Sequence, residues 1–213
     1  MRSCPRTIGV LSLLGAVLAV ASTALGQGTI AYVRPETPIS FGPLPGFDYR
    51  SVDLNGDGTR DFVIDTSLLM TVLLVGEDSN RFLGSVNWDG GVFVLPLIAG
   101  SSITPLTPAE SVWRQRGAVS ACAWPFGCVG PWLGQTAYAG VEFRIGEGLH
   151  YGWMQIEHFE SSNAGRVLDW AYETRPGVPI LAGAVPEPST WALLAGGGVL
   201  MAWFRRRRNA RRG

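Results

Sequence analysis

Between residues 27 and 184 the chain never runs far without a glycine or a proline. The sequence holds 28 glycines and 14 prolines in 213 residues, and through this stretch they recur roughly every 8–12 residues, the spacing of strands broken by turns. An interior glycine costs a helix about 1 kcal/mol relative to alanine, and an interior proline about 3. Long helices are therefore excluded from the middle of the chain. The runs between the breakers are rich in Val, Ile, Phe, Trp and Tyr, which suit a pleated, half-buried surface. "DFVIDTSL", "LMTVLLVG", "GGVFVLPLI", "AYAGVEFRIG", "HYGWMQIEHFE" and "RVLDWAYET" read as strands. Alternation is clearest in "YGWMQIEHF". Tyr151, Trp153, Gln155, Glu157 and Phe159 face one way, and His150, Gly152, Met154, Ile156 and His158 the other. The expectation is an all-β domain over residues 27–184, a jelly-roll-like β-sandwich, long enough to bury a sizeable core. "GSSITPLTPAES" reads as a surface loop within it.

Formal net charge is zero, but the charges are not spread evenly. Every basic residue is an arginine. Eight of the 17 lie at the ends: Arg2, Arg6 and six after Phe204. Of the 17 acids only Glu187 lies outside residues 27–184, so the middle carries about −7. An acidic domain lacks the cationic side chains that displace counterions from phosphates, which argues against nucleic acid.

The first 26 residues read as a signal peptide. A basic start is followed by an apolar run from Ile8 to about Val20, then by small residues ending "ALG" before Gln27. Signal peptidase would cut after Gly26. The alternative is an uncleaved anchor, for which the run is shorter than the ~20 residues of a spanning helix. Cys4 leaves with the signal. Cys122 and Cys128 remain, in "CAWPFGC". Two close cysteines in an exported chain point to a disulfide. Zinc is the alternative, but two cysteines without a nearby histidine make a poor site.

The chain closes on "VPEPSTWALLAGGGVLMAWFRRRRNARRG". Pro186, Glu187 and Pro188 form an extended, accessible stretch, because proline fixes φ and cannot donate a backbone hydrogen bond. Residues 191–204 are apolar, a short candidate transmembrane helix. At 1.5 Å per residue they reach about 21 Å against a hydrocarbon core of about 30 Å. The arginine cluster would stay cytoplasmic. Residues 185–213 resemble the PEP-CTERM sorting signal of bacteria, which has a Pro-Glu-Pro motif, a short membrane segment and a terminal arginine cluster. The resemblance implies recognition by an exosortase in the inner membrane. It also implies cutting near Pro186, Glu187 and Pro188, and passage to the cell surface or extracellular matrix after a transient stay in that membrane. "GLHYGWMQIEHFESSNAGRVLDWAYETRPGVPILAG", just upstream, resembles the last strands of many PEP-CTERM and related surface proteins. That likeness speaks to architecture and location.

"DLNGDGTRD" is the one motif with explicit chemistry. Asp53, Asn55, Asp57 and Asp61 place side-chain oxygens at positions 1, 3, 5 and 9, and Thr59 can offer its backbone carbonyl at position 7. Calcium takes 6–8 oxygens at about 2.3–2.6 Å, which such spacing can supply. Gly56 and Gly58 permit the turns. Position 12, where an EF-hand carries its bidentate glutamate, is Ile64, with Asp65 one residue beyond. The loop therefore resembles the shorter calcium loops of dockerins, thrombospondin repeats and integrin-type propellers. The alternative is a plain Asn-Gly-Asp-Gly turn with solvated carboxylates. The ion's role would be structural.

Signs of catalysis are sparse. There is no G-x-S-x-G elbow and no H-E-x-x-H motif. His150 and His158 share a strand face but lie about 26 Å apart along it. The expectation is a non-enzymatic surface or matrix component. A carbohydrate-binding module of the exopolysaccharide matrix is the first alternative, resting on Trp88, Trp113, Trp124, Trp132, Trp153 and Trp170. The competing reading is that most of these tryptophans fill the sandwich core, since aromatics dominate cores; Trp124 and Trp132, beside glycine or proline, are the two expected on loops. A secreted hydrolase using carboxylates such as Glu157 and Glu160 is the second alternative.

Overall fold

The computed structural model describes residues 30–42, 49–66, 71–87, 90–106, 111–123, 127–160 and 162–186. Ile30–Val185 is one compact unit. Its strands are β1 (Ile30–Val33), β2 (Ile39–Phe41), β3 (Tyr49–Val52), β4 (Phe62–Asp65), β5 (Thr71–Gly76), β6 (Arg81–Val86), β7 (Val92–Val94) and β8 (Pro96–Leu97). They continue with β9 (Ser102–Ile103), β10 (Ser111–Arg114), β11 (Arg116–Ala123), β12 (Gly127–Val129), β13 (Thr136–Ile145), β14 (Gly148–His158), β15 (Gly165–Glu173) and β16 (Ile180–Leu181). Among the described residues there is no helix long and apolar enough to cross a membrane. The segments expected to do so, the signal peptide and residues 191–204, lie outside the described residues.

All six stretches expected to be strands contain strands. Their arrangement differs from the expected pair of stacked sheets. Among the described residues fourteen strands join one sheet, with the path β1-β15-β14-β13-β6-β7-β11-β5-β4-β3, and β9 and β16 stand apart as a small ribbon. The reason lies in the middle of the path. β6, β7 and β11 hydrogen-bond toward both arms, so the ladder never breaks into two layers. The sheet curls instead, as a wide twisted sheet must if its apolar face is to be covered. Val52, Phe62, Ile64 and Leu74 from one arm share a core with Val141, Met154, Val167 and Trp170 from the other. The result is an open half-barrel. At its mouth Arg50 Nε donates to the Ser40 carbonyl at 2.9 Å, joining β3 to β2 through a side chain.

A second core lies on the outer face. There Leu83, Tyr151, Trp153 and Ala171 meet Leu97, Ile103, Ile180 and Ala182, brought by β8 and the β9–β16 ribbon. β14 is thus covered on both faces, Met154 and Ile156 inside and Tyr151 and Trp153 outside, in the alternation its sequence shows. The stretch "GSSITPLTPAES" departs from its expected loop character. Ser102–Ile103 pairs with β16, and Ile103 is fully buried. The partner that orders it lies almost eighty residues downstream, beyond the reach of local pattern.

Backbones approach very closely at Gly165 in β15. A Cβ there would stand 2.3 Å from the Glu157 carbonyl oxygen and 2.6 Å from the Phe41 ring. Only glycine fits between β14 and β2.

Candidate functional site

The Asp53–Asp61 loop joins β3 to β4 as a series of bends. Its side chains fold back onto its own backbone. Gly56 N–H and Gly58 N–H donate to the two Asp53 carboxylate oxygens at 2.7 and 2.8 Å. Asp57 N–H donates to Asn55 Oδ1 at 3.0 Å, and Thr59 N–H to Asp57 Oδ1 at 2.7 Å. Gly56 and Gly58 sit at φ of 75° and 87°, where a Cβ would be strained. The polar residues at odd positions therefore have a local task, capping N–H groups that a loop would otherwise leave to water.

Asp61 differs from the others because it is buried. It accepts from Leu54 N–H at 2.8 Å and from Asn80 Nδ2 at 3.3 Å. Burial pushes its carboxyl up to about 6, and the charges of Asp53 and Asp57 push the same way. Asp57 shifts oppositely, held down by the Thr59 N–H and by Asn55. Ile64, at the position of an EF-hand glutamate, is buried in the main core, so the loop is shut off from that geometry by β4. Among the described residues no group of three or more His, Cys, Asp or Glu is gathered as a metal cluster. Backbone carbonyls and Asn55 fall outside that count.

Asn80 is a participant the sequence did not reveal. Its amide donates to the Asp61 carbonyl at 3.2 Å, while its Oδ1 accepts from Arg144 N–H at 3.1 Å, tying the loop to β13. Its partners are 19 and 64 residues away, and its only local signal is a place at the end of a tight turn.

Cys122 and Cys128 form the expected disulfide. They are cross-strand partners in β11 and β12. Beside them a buried polar pair crosses the core, Ser120 Oγ and His158 Nε2 sharing a hydrogen bond of 2.7 Å. Burial holds His158 below the ordinary histidine range. Both groups are sealed from solvent. Glu157, a carboxylate considered for hydrolysis, is engaged by Arg166.

Among the described residues the tryptophans are packed into the two cores. Trp132, expected on a loop, sits in a turn, where it is fully buried and its Nε1 donates to the Val94 carbonyl at 2.8 Å. Trp153 and Trp170 are buried too, and Trp113 is half-buried. Trp88 and Trp124 lie outside the described residues.

The last described residues are fastened to the second core. Trp153 Nε1 donates to the Ala184 carbonyl at 3.1 Å, and Ala184 N–H closes a turn onto Leu181 at 3.0 Å. Gly183 makes the turn possible: its φ is 76°, and a Cβ would stand 2.9 Å from the Tyr138 ring. Val185 and Pro186 are then exposed. Glu187 and Pro188 lie outside the described residues. No curated protein and no solved structure matches the chain. A family model does: residues 184–208 match the PEP-CTERM protein-sorting motif. The chain thus bears at its C-terminus the sorting motif of exosortase substrates, which directs a protein through the membrane to the cell surface or beyond it.

Proposed function

We propose that this protein is a non-enzymatic surface or extracellular-matrix component. The half-barrel is its delivered part and the C-terminal segment its address. Signal peptidase removes residues 1–26. Residues 191–204 hold the chain in the inner membrane until an exosortase cuts at Pro186, Glu187 and Pro188. The observation that carries this reading is a coincidence of boundaries. The compact unit runs to Val185, and the sorting motif begins at residue 184. A cut at the Pro-Glu-Pro motif would leave every strand and both cores intact. Intact-mass analysis of the protein exported from its native host tests this. The expected product starts near Gln27, ends near Pro186 and is two hydrogens lighter for its disulfide. A product that keeps its final arginines, from cells with a working exosortase, overturns the reading.

The Asp53–Asp61 loop is, in this proposal, a structural calcium site. Asp53, Asn55, Asp57 and Asp61 supply side-chain oxygens and Thr59 a carbonyl. Support comes from the oxygen spacing, from the left-handed glycines that let the loop wrap, and from the charges of Asp53 and Asp57, which both act on Asp61. Each carboxylate oxygen that accepts one N–H keeps a lone pair for a cation. Bound there, the ion would stiffen the β3–β4 arm.

A further inference from the structure

The two chain stretches that meet at the exit point carry no charged side chain. From Gly90 to Ala109 and again from Pro176 to Pro186 the sequence has no Asp, Glu or Arg, within a domain that is otherwise acidic. The fold brings these two uncharged stretches together, because β9 lies in the first, β16 in the second, and they pair. Gly100 N–H donates to the Ala182 carbonyl at 2.9 Å, and Ala182 N–H to the Ser101 carbonyl at 2.8 Å, seating the Ile98–Ser101 turn against the Leu181–Ala184 turn. Large apolar side chains stand out from this end: Ile98 is 79% exposed, Leu181 52% and Val185 45%. Ala99, Gly100 and Pro179, also exposed, add no polar side chain.

Scattered exposed apolar residues need no explanation. Two charge-free stretches paired with each other, with Ile98, Leu181 and Val185 exposed on them, do. Its position names its occupant. Five residues, 186–190, separate Val185 from the apolar segment that begins at Trp191. Even fully extended, the chain from Val185 to Trp191 spans at most about 22 Å. This end of the domain is therefore held within a short tether of any membrane that residues 191–204 enter. We propose that the Ile98, Leu181 and Val185 surface is a lipid-contacting face, which rests in the headgroup region while the chain is anchored. An acidic domain is repelled by anionic lipid, so the uncharged end is the one that can approach. The tether supplies the effective concentration that three side chains alone would not. The inference rests on the anchored stage of the sorting route proposed above.

Fluorophores report it. The full chain carrying Cys4→Ser, with its native disulfide kept oxidised, is labelled with an environment-sensitive dye at Ile98→Cys or Leu181→Cys. The reference label is Glu160→Cys, in the β14–β15 turn, about seven strand residues or roughly 23 Å from Trp153. Val185→Cys is a further reporter should one of the first two alter the melting temperature. The chain is reconstituted into phosphatidylethanolamine–phosphatidylglycerol vesicles at less than one chain per vesicle. Blue-shifted emission at 98 and 181, quenched by spin-labelled lipid, with no shift at 160, is the expected result. Vesicle-bound chains with equal emission at all three sites overturn the lipid face and leave the anchoring intact. A shift seen only at many chains per vesicle means that copies cover one another, and also overturns it. Chains that do not float with vesicles overturn both the anchoring and the face.

Discussion

Trp170 Nε1 donates a buried hydrogen bond to the Leu54 carbonyl at 3.2 Å, across 116 residues of sequence. Leu54 begins the acidic loop and Trp170 lies in β15, so this contact bolts the two arms of the curled sheet together. Leu54 N–H donates to Asp61 in turn, and the bolt and the loop form one hydrogen-bonded chain.

Trp170→Phe removes the donor while keeping an aromatic ring. It leaves a buried carbonyl unsatisfied, which costs about 1–3 kcal/mol. The midpoint of urea denaturation should fall with little change in slope. A midpoint equal to that of the parent protein would mean that the arms are held by packing alone.

Calcium should stabilise the folded chain. A ligand at 100 times its Kd adds about 2.7 kcal/mol, so millimolar calcium should raise the melting temperature and a chelator should reverse it. Asp57→Asn keeps an acceptor for Thr59 N–H, replaces the oxygen that accepts from Asn55 Nδ2 and removes one charge, and should abolish most of the increment. Identical melting curves in calcium and in chelator would dismiss the site.

Asp61 gives the chelated protein an unusual pH response. Its carboxyl is pushed up to about 6 in the fold from an ordinary 3.8. Between those values the folded chain holds a proton that the unfolded chain has released. The Asp61 contribution to stability is therefore fully present below the lower value and is lost as pH rises through the upper one. Asp61→Asn should remove that slope, measured as urea midpoint against pH. With calcium present the loop should bind the ion more weakly as pH falls through about 6, because protons compete for Asp61.

His158 acts with the opposite sign. Burial lowers it from 6.5, so the unfolded chain takes up a proton that the folded one refuses. The stability it leaves in place above 6.5 is lost as pH falls below that value. His158→Gln should flatten this acid limb while leaving the Asp61 contribution in place. Equal acid limbs in the parent and His158→Gln would assign the limb to other groups.

Gly165→Ala should be among the most damaging small substitutions. The added methyl meets a carbonyl oxygen and the Phe41 ring, and such overpacking costs typically 1–3 kcal/mol. A melting temperature unchanged by the methyl would show that β2 yields easily.

Much of the local character of this protein is legible in one dimension. Strand runs, the two-faced pattern of β14, the close cysteine pair, the acidic loop and the sorting segment all depend on residues within a few positions of one another. Propensity, alternation and turn chemistry act over that range, so neighbouring residues alone determined them. What closes the fold acts over longer range. The curl that replaces two stacked sheets depends on β6, β7 and β11 bonding toward both arms. Ile103 is ordered by Ile180, Asp61 and Arg144 are joined through Asn80, and Trp132 is drawn inward by Val94. Each is a pairing across a long stretch of chain, made worthwhile only when other contacts have already brought its partners near. Such choices belong to the assembled tertiary structure, because the free energy that decides them, burial shared among distant side chains, does not exist until the chain has folded.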